Sequence, residues 1–147
     1  MTVRLTPRDY RGGLPRVDRR LLRSRAARLL RSVSHAASEL SIHLVDDEAI
    51  AALNSTYRGQ ARAADVLSFS LLEGDHAEYR GPLLGDVVIG IETAARQARA
   101  RRGTLDDEVA QLLIHGTLHL LGFDHARRRE TEVMRREERR LWRALRT

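Results

Sequence analysis

Apolar and polar positions recur along this chain in two periods, and the switches between them mark its elements. Over residues 17–33, Val17, Leu21, Leu22, Leu29 and Leu30 repeat at helical spacing opposite Arg19, Arg20, Arg23, Arg25, Arg28 and Arg31, which predicts an amphipathic helix with a basic face. Leu40, Ile42 and Leu44 alternate with Ser41 and His43, the period of a half-buried strand, so His43 should point away from the core. Asp46 or Asp47 can cap a following helix that buries Ala49, Ile50, Leu53 and Tyr57 and ends at Gly59. Residues 65–70 and 84–91 read as two further strands. The second is apolar almost throughout, as expected for a strand covered on both faces.

Three helices follow. The first spans residues 92–102 and closes at Gly103; the second opens on a capping-box-like pair, Thr104 and Asp107, and runs through Leu121. The third, over residues 127–146, repeats Val133, Met134, Leu141, Trp142 and Leu145 among dense charge, with Met134 read as core. Residues 3–5 suit a short edge strand, while Pro7, Gly12, Gly13 and Pro15 read as loop. Residues 72–82, with Gly74, Asp75, His76, Gly81 and Pro82, read as an exposed loop. The order strand, helix, strand, helix, strand, strand, three helices predicts an α+β fold: one small mixed sheet of three or four strands with about five helices. At 147 residues the expectation is a single domain over 1–147, able to bury roughly 68–70% of the surface its unfolded chain exposes.

Composition narrows the partners. The formal net charge is +6, which suits a polyanion, although all 26 basic residues are arginine and coding bias can contribute. One Trp, three Tyr and two Phe are too few for a base-stacking sheet, so nucleic-acid contacts should go mainly to phosphate. Cysteine is absent, which excludes disulfides and thiolate sites. The first residues do not resemble a signal peptide and no run has membrane-spanning length. A cytoplasmic location with neither membrane partner nor nucleotide cofactor is expected.

The candidate chemistry lies in HGTLHLLGFDH, residues 115–125, with three of the six histidines. On a helix running through Leu121, His115 and His119 share one face, with Cβ atoms roughly 5–6 Å apart. Gly122 can turn the chain back in the left-handed conformation, so that His125 returns to the same ion. A lone histidine on an apolar helix is usually a core residue bonded to backbone. Three at this spacing, among Leu112, Leu113, Ile114, Leu118, Leu120 and Leu121, point instead to a metal, because one ion satisfies all three buried rings. Three protein ligands leave a fourth position for water or substrate, which is how a catalytic zinc differs from a structural one. The spacing H-x-x-x-H-x-x-G-x-x-H is that of metzincin proteases, but Gly116 stands where those enzymes carry their glutamate base, which argues against peptide hydrolysis. Asp124, beside a ligand, is read as orienting a histidine rather than as a general base.

These residues resemble the YbeY family of bacterial rRNA maturation factors, metal-dependent endoribonucleases. The resemblance rests on HGTLHLLGFDH at 115–125, LNSTYRG at 53–59, DVLSF at 65–69 and LGDVVI at 84–89. It implies a single-strand-specific endoribonuclease that matures the 3′ end of small-subunit rRNA and serves ribosome quality control, with the ribosome as partner. It also implies His115, His119 and His125 as metal ligands and Arg58 as a functional basic residue facing the metal cleft. Arg58 equally suits a helix C-terminus through the macrodipole alone. One zinc ion is expected; nickel or another divalent metal suits three imidazoles too. Ala64, Ser70 and Phe123 depart from the family pattern, where threonine, proline and tyrosine are usual. A ribosome-associated assembly factor with a structural metal and a metallopeptidase are the alternatives.

Overall fold

Element order follows the hydrophobic pattern: β1 (Thr2–Leu5), α1 (Arg19–Ser32), β2 (Glu39–Val45), α2 (Asp47–Arg58), β3 (Val66–Ser70), β4 (Leu83–Gly90), α3 (Ile91–Ala100), α4 (Leu105–Leu120) and α5 (Arg128–Arg146). The computed structural model describes residues 2–5, 14–60, 62–70, 83–123 and 128–146. The loop residues Pro7, Gly12 and Gly13, and the segment 72–82 with His76, lie outside these. Helix starts are fixed by side chains that accept otherwise unpaired backbone N–H groups. Asp18 accepts from Leu21 N at 3.0 Å, Asp46 from Ala49 N at 2.7 Å and Thr104 from Asp107 N at 3.1 Å.

The described strands form one mixed sheet in the order β1-β2-β4-β3, with β1, β2 and β4 parallel and β3 antiparallel to β4 at the edge. Leu40, Ile42, Leu44, Val87 and Ile89 share one face and pack with Leu29 of α1, Leu113 and Leu118 of α4, and Met134 and Leu141 of α5. The other face carries a smaller core, Val45, Leu67 and Val88 under Ile50 of α2. Because both faces are covered, β2 is buried more fully than alternation predicts: only Glu39 is exposed, and His43 is half-buried against Asp86, Nε2 to Oδ1 at 2.9 Å.

α4 is the central helix, packing on α1, α3, α5, β3 and β4. It comes close to the sheet at Gly116, where a Cβ would lie 2.8 Å from Val87 Cγ1, 3.0 Å from Ser68 Oγ and 3.1 Å from Val66 Cγ2. The Ser68 hydroxyl donates to Gly116 O at 2.9 Å and fixes that approach.

Several expectations are corrected. Tyr57 is 65% exposed rather than buried, because the last turn of α2 extends past the small core and the ring meets Phe69 edge-on at 5.1 Å. Arg25 and Arg28 leave the solvent face of α1. Arg25 pairs with Asp107 at 2.9 Å and lies over Trp142, and Arg28 donates to the carbonyls of Ala144 and Leu145, both at 3.3 Å. Both flank the buried stripe, and their long stems let the charged heads reach across to the neighbouring helices. Val133 is exposed, whereas Met134 is fully buried as expected.

Two stability effects follow. Gly116→Ala gains about 1 kcal/mol of helix propensity but drives a methyl into Val87, whose χ1 is stiff; with overpacking costing about 1–3 kcal/mol, urea unfolding should show a net loss. Glu108 of α4 is buried, 3.7 Å from Arg101. Burial pushes its carboxyl above the ordinary glutamate value, opposed by Arg101 and assisted by Asp65. The folded chain therefore holds this proton to higher pH than the unfolded chain, and stability is lost as pH rises through that window. Glu108→Gln should gain on the parent in urea titrations as the pH rises above the ordinary glutamate range; a pH-independent difference would contradict the burial effect.

Candidate functional site

The last turns of α4 set His115 and His119 side by side, with ring centroids 4.6 Å apart and Nε2 atoms 3.1 Å apart. Two nitrogens held about 2.0–2.1 Å from a tetrahedral ion would stand about 3.3–3.4 Å apart. The pair therefore fits joint coordination within a few tenths of an ångström, and the same spacing accommodates an N–H···N hydrogen bond between neutral rings. Behind His115, Glu138 of α5 places Oε1 3.5 Å from Nδ1, which directs the ring's other nitrogen toward His119. A carboxylate at the back of an imidazole fixes its tautomer and raises its basicity as a ligand.

The chain turns after α4 as the glycine predicts. Gly122 has φ +97°, its N–H bonds His119 O at 3.0 Å, and Phe123 N–H bonds Leu118 O at 3.0 Å, the paired closure of a Schellman turn. The predicted third ligand, His125, and Asp124 lie outside the described residues. Among the described residues no group of three or more His, Cys, Asp or Glu converges, so the described part contributes the two histidines of α4.

His115 and His119 lie on a cleft of about 680 Å³ also lined by Asn54, Arg58, Arg62 and Ser68. The structure thus brings Arg58 to the same cleft as the two histidines. Arg58 ends α2, where Gly59 at φ +68° halts the helix. Its exposed guanidinium makes a long hydrogen bond to Ser68 O, 3.4 Å, on β3, which is an edge strand among the described residues. Arg62 adds a second exposed guanidinium to the lining and donates to Gln60 Oε1 at 3.2 Å. Asn54, 3% exposed, donates to Arg62 O at 2.9 Å and so holds the turn that carries it. Two cationic side chains and two imidazoles on one concave surface suit a phosphodiester.

The family profile described as Endoribonuclease YbeY matches residues 16–146. The chain belongs to the endoribonuclease YbeY family. It is 49% identical to the endoribonuclease YbeY of an Anaeromyxobacter species over 144 residues, 98% of this chain and 72% of that protein. It is 39% identical to that of Syntrophus aciditrophicus over 129 residues, 86% of this chain and 81% of the other. A Thermotoga maritima protein solved in solution superposes with a TM-score of 0.63 over 97% of this chain and 88% of that one; at 24% identity this is a likeness of fold.

Two departures from the YbeY pattern are absorbed by packing. Ala64 joins the small core and Phe123 packs on the main one while lining the cleft. Glu138, Arg62 and Asn54 escaped the sequence reading. The signal for Glu138 was a carboxylate on the buried stripe of α5, one turn beyond Met134 and before Leu141 and Leu145; Arg62 and Asn54 carried no periodic signal. Glu138→Ala is expected to weaken divalent-metal binding roughly 10–100-fold in calorimetric titration. Unchanged affinity would show that the carboxylate does not prepare His115.

Proposed function

We propose that this chain is a metal-dependent endoribonuclease that cuts single-stranded RNA in the cleft between α2, β3 and α4. The observation that carries the reading is the convergence on one cleft of two imidazole Nε2 atoms 3.1 Å apart with Arg58 and Arg62. His115, His119 and His125 would hold one divalent ion, zinc being the first expectation and nickel or another divalent metal being compatible with imidazole donors. When bound, such an ion supplies Lewis-acid polarisation of a phosphoryl oxygen and acidifies water, toward a pKa of about 7 for zinc.

The chain's own residues have distinct tasks in this reading. Arg58 and Arg62 bind and orient the phosphodiester through charge-assisted hydrogen bonds, and Arg58 stabilises charge growing on its non-bridging oxygens. Glu138 keeps the His115 proton on Nδ1, and Asp124 orients a histidine from outside the ligand set. The relatives' name, endoribonuclease, supports RNA as substrate, as does the net charge of +6. The family resemblance extends the proposal to the 3′ end of small-subunit rRNA, ribosome quality control and the cytoplasm. A peptidase is disfavoured on steric grounds, since the Cβ of a glutamate at position 116 would lie 2.8 Å from Val87 and 3.0 Å from Ser68.

His119→Ala should lose divalent-metal binding and cleavage of single-stranded RNA together. Arg58→Ala should keep the metal but cut roughly 10²–10³-fold more slowly, the loss typical of removing one charge-stabilising donor. Undiminished cleavage by metal-free His119→Ala would remove the ion from the reaction, and undiminished cleavage by Arg58→Ala would leave Arg58 as a helix terminus only.

A further inference from the structure

α1 carries six arginines and no acidic residue, in a chain with 20 acidic residues, so its charge alone equals the whole net charge of +6. Coding bias can favour arginine over lysine; it does not explain the exclusion of Asp and Glu from one helix. Two of the six serve the fold, Arg25 on Asp107 and Arg28 on the end of α5. The other four, Arg19, Arg20, Arg23 and Arg31, are exposed and, among the described residues, pair with no carboxylate. At 3.6 residues per turn they fall within roughly a third of the helix circumference.

The placement of Arg19 and Arg20 also opposes the helix. α2, α3, α4 and α5 each have an acidic residue in the first turn, as the macrodipole favours, whereas α1 begins with Arg19 and Arg20 and has none. Arg19 and Arg20 repel the N-terminal dipole and each other, against which the N-cap Asp18 is set, so the dipole does not account for them; Arg31, in the last turn, is where the dipole favours a cation. The apolar side of the helix, Leu22, Ala26, Leu29 and Leu30, is already buried in the main core, which leaves no apolar face to enter a lipid layer.

We propose that the exposed arginines of α1 form a phosphate-binding ridge that grips the RNA backbone away from the cleft. The ridge rests on the reading of RNA as substrate and adds a second point of hold on the same polyanion. α1 is a rigid support for it, tied to α4 through Arg25 and to α5 through Arg28 and through Arg140, which donates to Ser32 O at 3.0 Å. Contacts of this kind are independent of sequence and disperse condensed counterions, so their signature is salt dependence.

The test compares the parent with Arg19→Gln/Arg20→Gln/Arg23→Gln/Arg31→Gln, and with a control, Arg99→Gln/Arg102→Gln, which removes exposed charge from the α3 end. Glutamine has nearly the helix propensity of arginine, and circular dichroism verifies the fold. Affinity for a structured RNA with a single-stranded tail is measured by fluorescence anisotropy across a salt series. The four-site variant should bind at least about tenfold more weakly at low salt, with the slope of log K against log salt shallower by roughly 3. The control should change much less per charge removed. Equal change per charge in the two variants overturns the ridge, as does an unchanged RNA slope accompanied by lost binding to phosphatidylglycerol vesicles. Because binding is read without cleavage, the outcomes separate: RNA held through α1 but not cut fails the nuclease proposal alone, and RNA cut with an unchanged slope fails the ridge alone.

Discussion

The contact between the Gly116 backbone and the inner side of β3 and β4 sets the geometry of the whole site. Only a residue without a side chain lets α4 settle close enough for the Ser68 hydroxyl to reach the Gly116 carbonyl. That depth places His115 and His119, on the adjacent face of the same turns, beside β3 and the cleft. The same contact fixes what the site lacks: an acidic side chain at position 116 has no room, so its absence is steric as well as chemical. Van der Waals exclusion at one position thus decides both where the imidazoles stand and which chemistry they are denied.

The opposite wall is held by a separate polar system. At the start of α2, Asp47 N–H donates to Glu92 at 2.8 Å, while the Asp47 carboxylate accepts from Thr93 and Arg96, each at 2.9 Å. These bonds join the N-termini of α2 and α3 and orient α2, whose far end carries Arg58. The buried Asn54 then fixes the turn bearing Arg62. The ring pair and the guanidinium pair therefore reach one concavity from two supports, the core under α4 and the hydrogen-bonded start of α2.

Features decided by neighbours in sequence were legible; those decided by meetings between distant elements were not. Caps at Asp46 and Thr104, stops at Gly59 and Gly122, and the order of all nine described elements follow from local pattern and turn chemistry. The i, i+4 spacing likewise announced the pairing of His115 with His119. Glu138 could not be assigned to His115 because that contact depends on how α5 crosses α4. Arg25 and Arg28 looked like surface charge until α4 and α5 supplied a carboxylate, an indole ring and backbone carbonyls for them. Tyr57 satisfied the helical period yet lay one turn beyond the apolar partners that could have covered it.

Arg58 also bears on how copies of this chain behave toward one another. Among the described residues β3 has no strand on its outer side, so it offers backbone groups on which a foreign strand could add. The guanidinium hydrogen-bonded to Ser68 O occupies one of those acceptors and sets a fixed positive charge along the open border. A second molecule approaching edge to edge would meet its own like charge there, and so the rim of the cleft doubles as a guard against self-association.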